Sequence, residues 1–238
     1  MISIVIPCYN NELQLTDTVN RIEASTKNLA HKFELILVDD GSADGTWTVV
    51  QNMAKSTESL IINGIRLETN IGAYHAIVPG MSVCKGDSVI VMAADGDDPP
   101  ELIPELVSLF DSQTQLVLAN KVDSKKGALS VFLSSVFTST LKFLGAKNIT
   151  SGGSDYMLFS RAILTKRQEI GWKKGNTLIQ LIQLSQNAKT IDYTKGKSKP
   201  TSWTLSKKIA LFWNTTVLFL PFTFLKSDLP HWNIRETC

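Results

Sequence analysis

Cysteine is scarce in this chain of 238 residues, which holds Cys8, Cys84 and Cys238. Three cysteines so far apart supply neither a disulfide framework nor a zinc site, and they suit a reducing compartment. A basic leader is missing too: Met1-Ile2-Ser3-Ile4-Val5-Ile6 goes straight into a strand-like run, so no secretory signal is expected and the protein is assigned to the cytoplasm. No Gly-x-Gly-x-x-Gly follows that run, which argues against a dinucleotide-dependent oxidoreductase. Charge of one sign is lacking: 24 Lys and Arg stand against 22 Asp and Glu, and nothing in the net +2 points to nucleic acid. There is no internal repeat and no low-complexity tract. Nor is there a long apolar run, since residues 209–225 are interrupted by Asn214, Thr215, Thr216 and Pro221 and fall short of the roughly 20 residues a spanning helix needs. Lys207 and Lys208 precede that stretch, so it reads as a helix lying in a membrane interface, with an ordinary core helix as the alternative.

What the chain does have is two acidic clusters, each closing a short apolar run. Leu35-Ile36-Leu37-Val38 leads into Asp39-Asp40-Gly41-Ser42, and Val89-Ile90-Val91-Met92 leads into Ala93-Ala94-Asp95-Gly96-Asp97-Asp98-Pro99-Pro100-Glu101. Runs of that length read as buried parallel strands, and in an open α/β sheet ligands sit beyond the carboxyl ends of the strands. Carboxylates at two such ends can share one site, and oxygen ligands suit a hard divalent cation and, through it, a diphosphate. Adjacent Asp39 and Asp40 repel unless something uses them; a base N–H edge or a ribose hydroxyl is one such use, and a solvated turn is the plainer one.

The pattern around these clusters alternates. Strands are expected over Ser3–Ile6, Leu35–Val38, Leu60–Leu67, Ser88–Met92 and Leu116–Ala119, with helices over residues 13–29, from the Asp44 cap to Ala54, over 72–83 with a kink at Pro79, and over 101–110. Strand-helix units joined by right-handed crossovers make a doubly wound, mainly parallel sheet flanked by helices. Later, an apolar helix is expected over 130–144, a short strand over Tyr156–Phe159, a helix over 176–184, an extended segment over 189–193 and a lysine-rich loop over 195–202.

Ile4-Val5-Ile6-Pro7-Cys8-Tyr9-Asn10-Asn11-Glu12, Val38-Asp39-Asp40-Gly41-Ser42 with Asp44 and Thr46, Asn70-Ile71-Gly72, and Asp95 with Asp98-Pro99-Pro100-Glu101 together resemble the family 2 glycosyltransferases of the GT-A fold. Within that family they are similar to the dolichol-phosphate mannose synthase and bactoprenol glucosyltransferase branch, and the resemblance runs over about residues 1–215. It implies a GT-A domain over 1–203 and a juxtamembrane amphipathic helix and tail over 204–238. It implies that Pro7, Tyr9 and Glu12 line a nucleotide pocket, that Asp39 and Asp40 border base and ribose, and that Lys121 stands where the family has a phosphate-contacting arginine. Asp95, with Asp97 two residues on, is implied to hold Mg2+ or Mn2+ at the sugar nucleotide diphosphate. Asp155 matches the acid of the family's acceptor segment, as general base for a hydroxyl acceptor or as a positioning group for a polyprenyl phosphate, which is already ionised. Trp203, Lys207 and Lys208 match the segment where the family meets lipid headgroups and the acceptor phosphate.

The resemblance thus implies a glycosyltransferase moving a sugar from a nucleoside diphosphate sugar to a lipid-linked or glycan acceptor in cell-surface polysaccharide synthesis, held peripherally on the inner face of the plasma membrane. The departures imply an alternative. Ala93 replaces the first acid of the family's Asp-x-Asp element, Val131 replaces a basic residue, and Met157 replaces an arginine, all at positions expected to face diphosphate or metal. A catalytically impaired GT-A domain that binds nucleotide or a partner enzyme is the second reading.

Overall fold

The computed structural model describes residues 1–56, 60–122, 128–143, 145, 147–150, 155–173, 175–194 and 232–238, with the backbone alone at 56, 128–134 and 137. Eight strands form one sheet: β1 (Ile2–Cys8), β2 (Phe33–Asp39), β3 (Ile61–Leu67), β4 (Ser88–Val91), β5 (Leu116–Val122), β6 (Met157–Ser160), β7 (Ala188–Thr194) and β8 (Ile234–Thr237). Their order is β7-β5-β6-β4-β1-β2-β3-β8. β1 pairs in parallel with both β2 and β4, β2 with β3, and β5 with β7, whereas β6 runs antiparallel between β4 and β5 and β8 runs antiparallel along β3. The sheet is therefore doubly wound and mainly parallel, as the alternation predicts.

Side chains alternate across the sheet with a period of two, so each strand feeds two cores. Ile2, Ile4, Ile6, Leu35 and Leu37 face one side, packed with residues of α1 (Leu15–Thr26), α2 (Thr46–Ser56) and α4 (Ile103–Leu109). Val5, Ile36, Val38 and Val91 face the other, with α3 (Ala73–Val83), α6 (Arg161–Ile170) and α7 (Thr177–Leu184). Each such fully buried aliphatic contributes about 1.5–3 kcal/mol. The α1 stripe follows helical spacing, with Leu15, Val19 and Ile22 buried. α3 continues through Pro79, and a short 3-10 turn over Pro100–Leu102 leads into α4. α5 spans Ala128–Phe143.

Two elements differ from expectation. α6 carries a narrow buried face, Ile163, Leu164 and Arg167, and its N-cap Ser160 makes no capping bond, so neither periodicity nor a cap signals it. β8 has one aliphatic residue in Ile-Arg-Glu-Thr and is a strand because its backbone completes the open edge of β3. The last residues of the expected tail thus belong to the sheet. The juxtamembrane helix and the lysine-rich loop expected before them, with Trp203, Lys207 and Lys208, lie outside the described residues. Among the described residues no helix is long and apolar enough to cross a membrane.

Candidate active site

Strand order reverses between β1 and β4, because β1, β2 and β3 proceed one way and the chain returns to lay β4 on the other side of β1. In such sheets the ligand crevice lies outside the carboxyl ends of the strands at that reversal. Asp39 ends β2 and pairs in register with Cys8, the last residue of β1, while Asp95 follows four residues after the end of β4. One strand separates the two, so at about 4.8 Å per strand β2 and β4 lie about 10 Å apart with both acids on one edge. The antiparallel direction of β6 adds a third: Asp155 precedes that strand, so the start of β6 and not its end reaches the same edge.

The β2 acids are neither solvated nor idle. Asp39 is 0% exposed, its Oδ1 accepts the Ser42 N–H at 3.0 Å, and its Oδ2 lies 3.2 Å from Arg66 Nε. Asp40 is 1% exposed and accepts the Ile71 and Gly72 N–H groups, one on each oxygen, at 2.8 and 2.9 Å. Burial lifts the Asp40 carboxyl to about 6, against those two amide bonds, and the Asp39 charge adds to the rise. Both acids are therefore braces at this edge, Asp39 holding the Gly41-Ser42 turn and Asp40 the Asn70–Gly72 loop. Gly41 is required between them: its φ is +66°, and a Cβ there would lie 2.8 Å from the Asn70 nitrogen and the Thr69 carbonyl carbon.

The residues after β1 take different roles. Pro7 is half-buried in β1 and Tyr9, just past the end of β1, is 49% exposed. Glu12 accepts the Gly45 N–H at 3.0 Å, while its own N–H donates to Asp44 Oδ2 at 3.3 Å. Its carboxylate thus clamps the start of α2. Asp44 also accepts the Thr46 N–H at 3.0 Å, so it does start α2 as expected.

On the β4 side Asp95 is exposed, and its Oδ1 accepts the Asp97 N–H at 3.0 Å. Lys121, near the end of β5, places Nζ 3.6 Å from Asp97 Oδ2. Asp98 is buried, accepting the Ala93 N–H on Oδ2 and the Tyr193 O–H on Oδ1, both at 2.9 Å. Burial raises its carboxyl to about 6; the Asp155 charge adds to this, while the two hydrogen bonds and Lys121 oppose it. Asp155 accepts the Tyr74 O–H at 3.0 Å. Although solvent reaches Asp155, the protein packed around its carboxyl raises the pKa, partly offset by Tyr74 and Lys121. A cavity of about 600 Å3, lined by Pro99, Leu102, Val122, Asp192 and Tyr193 among others, opens beside this group. A hollow of about 180 Å3 around Met1, Ile2, His31 and Asp87 lies at the opposite edge, far from the acids.

Asp95, Asp97, Lys121 and Asp155 are thus brought to one edge, with Asp39 and Asp40 beneath its other half. Asp98, Tyr74, Tyr193 and Arg66 were not assigned roles from the sequence; Asp98 stands inside the Asp-Pro-Pro-Glu run, and Arg66 is a lone charge in an apolar strand. Met157 is fully buried between Val91 and Leu118, so an apolar side chain suits the core there and removes no charge from the crevice. The side chain of Val131 lies outside the described residues. Among the described residues no three His, Cys, Asp or Glu are gathered to hold a metal. Asp95 and Asp97 offer carboxylate oxygens alone, which fits a Mg2+- or Mn2+-like ion that takes its other ligands from a diphosphate and water.

Residues 3–167 match the family described as Glycosyl transferase family 2. An undecaprenyl-phosphate 4-deoxy-4-formamido-L-arabinose transferase of Pseudomonas savastanoi pv. phaseolicola is 41% identical over 126 residues, covering 52% of this chain and 37% of that protein. The chain therefore spans well under half the length of the curated relative it matches. In fold it is similar to the mannosyltransferase PcManGT of Pyrobaculum calidifontis, solved with GDP-Man and Mn2+, at a TM-score of 0.62 and 19% identity over 84% of this chain and 57% of the other. It is also similar to glucosyl-3-phosphoglycerate synthase of Mycobacterium tuberculosis, solved with UDP, at a TM-score of 0.63 and 17% identity over 92% and 79%.

Proposed function

This chain belongs to glycosyl transferase family 2, and from that premise we propose that it moves a sugar from a nucleoside diphosphate sugar to a polyprenyl phosphate in cell-surface polysaccharide synthesis. The carrying observation is the gathering of Asp95, Asp97, Lys121 and Asp155 at the carboxyl edge where strand order reverses. The undecaprenyl-phosphate acceptor named for the curated relative and the GDP-Man and Mn2+ of the structural neighbour support the reading.

Pro7 and Tyr9 line the base side of the pocket, Tyr9 offering its ring for stacking. Asp39 and Asp40 fix the wall behind the base and ribose, and Glu12 fixes the turn beside it. Asp95 and Asp97 hold the divalent ion, Mg2+ or Mn2+, which when bound offsets charge developing on the departing diphosphate. Lys121 adds a point charge on the same side. An acceptor phosphate is already ionised, so Asp155 needs no proton from it. Asp155, held in place by the Tyr74 O–H, stands as a positioning group for that phosphate. Trp203, Lys207 and Lys208 and the apolar stretch after them supply peripheral contact with anionic lipid on the inner face of the plasma membrane.

Calorimetry with UDP- and GDP-sugars, with and without Mn2+, tests the donor half, and transfer to undecaprenyl phosphate in mixed micelles tests the rest. Asp95→Ala should abolish the metal-dependent part of donor binding. No binding of either donor by the wild type, with no change on Asp95→Ala, would refute the proposal. Ala93 favours the second reading, a domain that binds nucleotide without transfer, because the first acid of the pair is absent. A wild type that binds donor but turns over only as Ala93→Asp would establish it.

A further inference from the structure

Resting on the nucleotide site proposed above, we infer that Glu236 of β8 is a positioning residue for that site: through Arg66 it fixes the stance of Asp39 and the Asp39–Ser42 turn, so that the C-terminal strand tunes affinity for the nucleoside diphosphate. Arg66 and Glu236 are direct cross-strand partners in the antiparallel β3–β8 pair. Side chains so placed on one face meet, and opposite charges there attract.

Arg66 is the junction. Its Nε lies 3.2 Å from Asp39 Oδ2, its Nη2 donates to the Ser42 carbonyl at 3.4 Å, and its Nη1 lies 3.8 Å from Glu236 Oε1. The guanidinium also sits over the Trp47 ring, 5.9 Å from its centre. Glu236 is itself fixed, because its Oε2 accepts the Trp47 Nε1–H at 2.6 Å. The strand that carries it is tied to β3 by the Gly64 N–H to the Cys238 carbonyl at 2.7 Å and by the Cys238 N–H to the Gly64 carbonyl at 3.1 Å. Ser42 extends the link to the mouth: its Oγ accepts the N–H of Asn10, the neighbour of exposed Tyr9, at 3.0 Å.

Asp39 is fully buried, and leaving a buried carboxyl without the partner held against it is costly. Arg66 is 19% exposed, so without Glu236 to hold its outer face the guanidinium can turn to solvent and leave Asp39 poorly matched. The Asp39–Ser42 turn then loosens where the nucleotide binds.

Affinity for UDP and GDP with Mn2+, donor KM and kcat, and the thermal unfolding midpoint are measured for the wild type, Glu236→Gln, Arg66→Gln and the double variant. Gln still accepts the Trp47 N–H while losing the charge. Glu236→Gln should weaken nucleotide binding by about three- to tenfold. Donor KM should rise in step, with kcat and the midpoint close to wild type. The double variant should bind no more weakly than Arg66→Gln alone. Wild-type affinity in Glu236→Gln, additive losses in the double variant, or a loss matched by a fall in the midpoint would each overturn the inference while leaving the proposed function standing. A wild type that binds neither nucleotide would overturn both.

Discussion

Asp40 and Asp98 are buried carboxyls raised to about 6 from an ordinary 3.8, yet replacing each by its amide should have different results. The partners decide. Both Asp40 oxygens accept from backbone N–H groups, which cannot reverse. Asp98 accepts one backbone N–H and one hydroxyl, and the Tyr193 hydroxyl can rotate to accept instead. Asp40→Asn therefore sets an amide NH2 against a backbone N–H, a cost of about 1–3 kcal/mol, whereas Asp98→Asn keeps both bonds. The pH dependence follows from the direction of the shifts. A carboxyl raised in the folded state binds its proton there more tightly than in the unfolded chain, so its contribution is full below about pH 4 and is lost as pH rises through about 6. A rise of about two units corresponds to roughly 3 kcal/mol per group as an upper figure. Urea unfolding at pH 4.2 and pH 7.5 separates these effects. At pH 4.2 Asp98→Asn should match the wild type and Asp40→Asn should fall about 1–3 kcal/mol below it. At pH 7.5 Asp98→Asn should exceed the wild type, by up to about 3 kcal/mol. Equal stability of the two variants at both pH values would refute the reasoning.

Gly41→Ala combines a positive φ with a backbone clash on Asn70 and Thr69, and should lower stability by at least about 2 kcal/mol in urea unfolding; a change within about 0.5 kcal/mol would show that the turn relaxes freely. Tyr74→Phe removes the O–H that holds down the Asp155 pKa, so that pKa should rise further. If Asp155 must be ionised for transfer, the acid limb of the pH–rate profile should move to higher pH, and if its proton is used, the alkaline limb should move the same way; a profile identical to the wild type would remove Asp155 from the titrating groups.

Much of the site's frame was legible because strands here end where their apolar runs end: Val38 passes directly into Asp39, Val91 is followed four residues on by Asp95, and parallel strands bring those ends to one edge. What escaped depends on contacts across the chain. Whether Asp39, Asp40 and Glu12 face a ligand or hold a loop is decided by amides of Ser42, Ile71, Gly72 and Gly45, which no local pattern announces. Met157 sits in an acceptor-segment match, yet the β6 register turns it into the core. β8 has almost no apolar signal, and its place follows from the free edge of β3.

The reversed strand β6 also governs how the chain assembles during synthesis. β3, β2, β1 and β4 can join once residue 91 has left the ribosome, but β4 keeps a bare edge until Met157–Ser160 arrive, roughly 65 residues later. At about 5–20 residues per second that is a wait of several seconds. Throughout it, the outer edge of Ser88–Val91 is bare and open to any passing strand, which marks this interval as the moment when nascent chains are most prone to aggregate and a chaperone most useful.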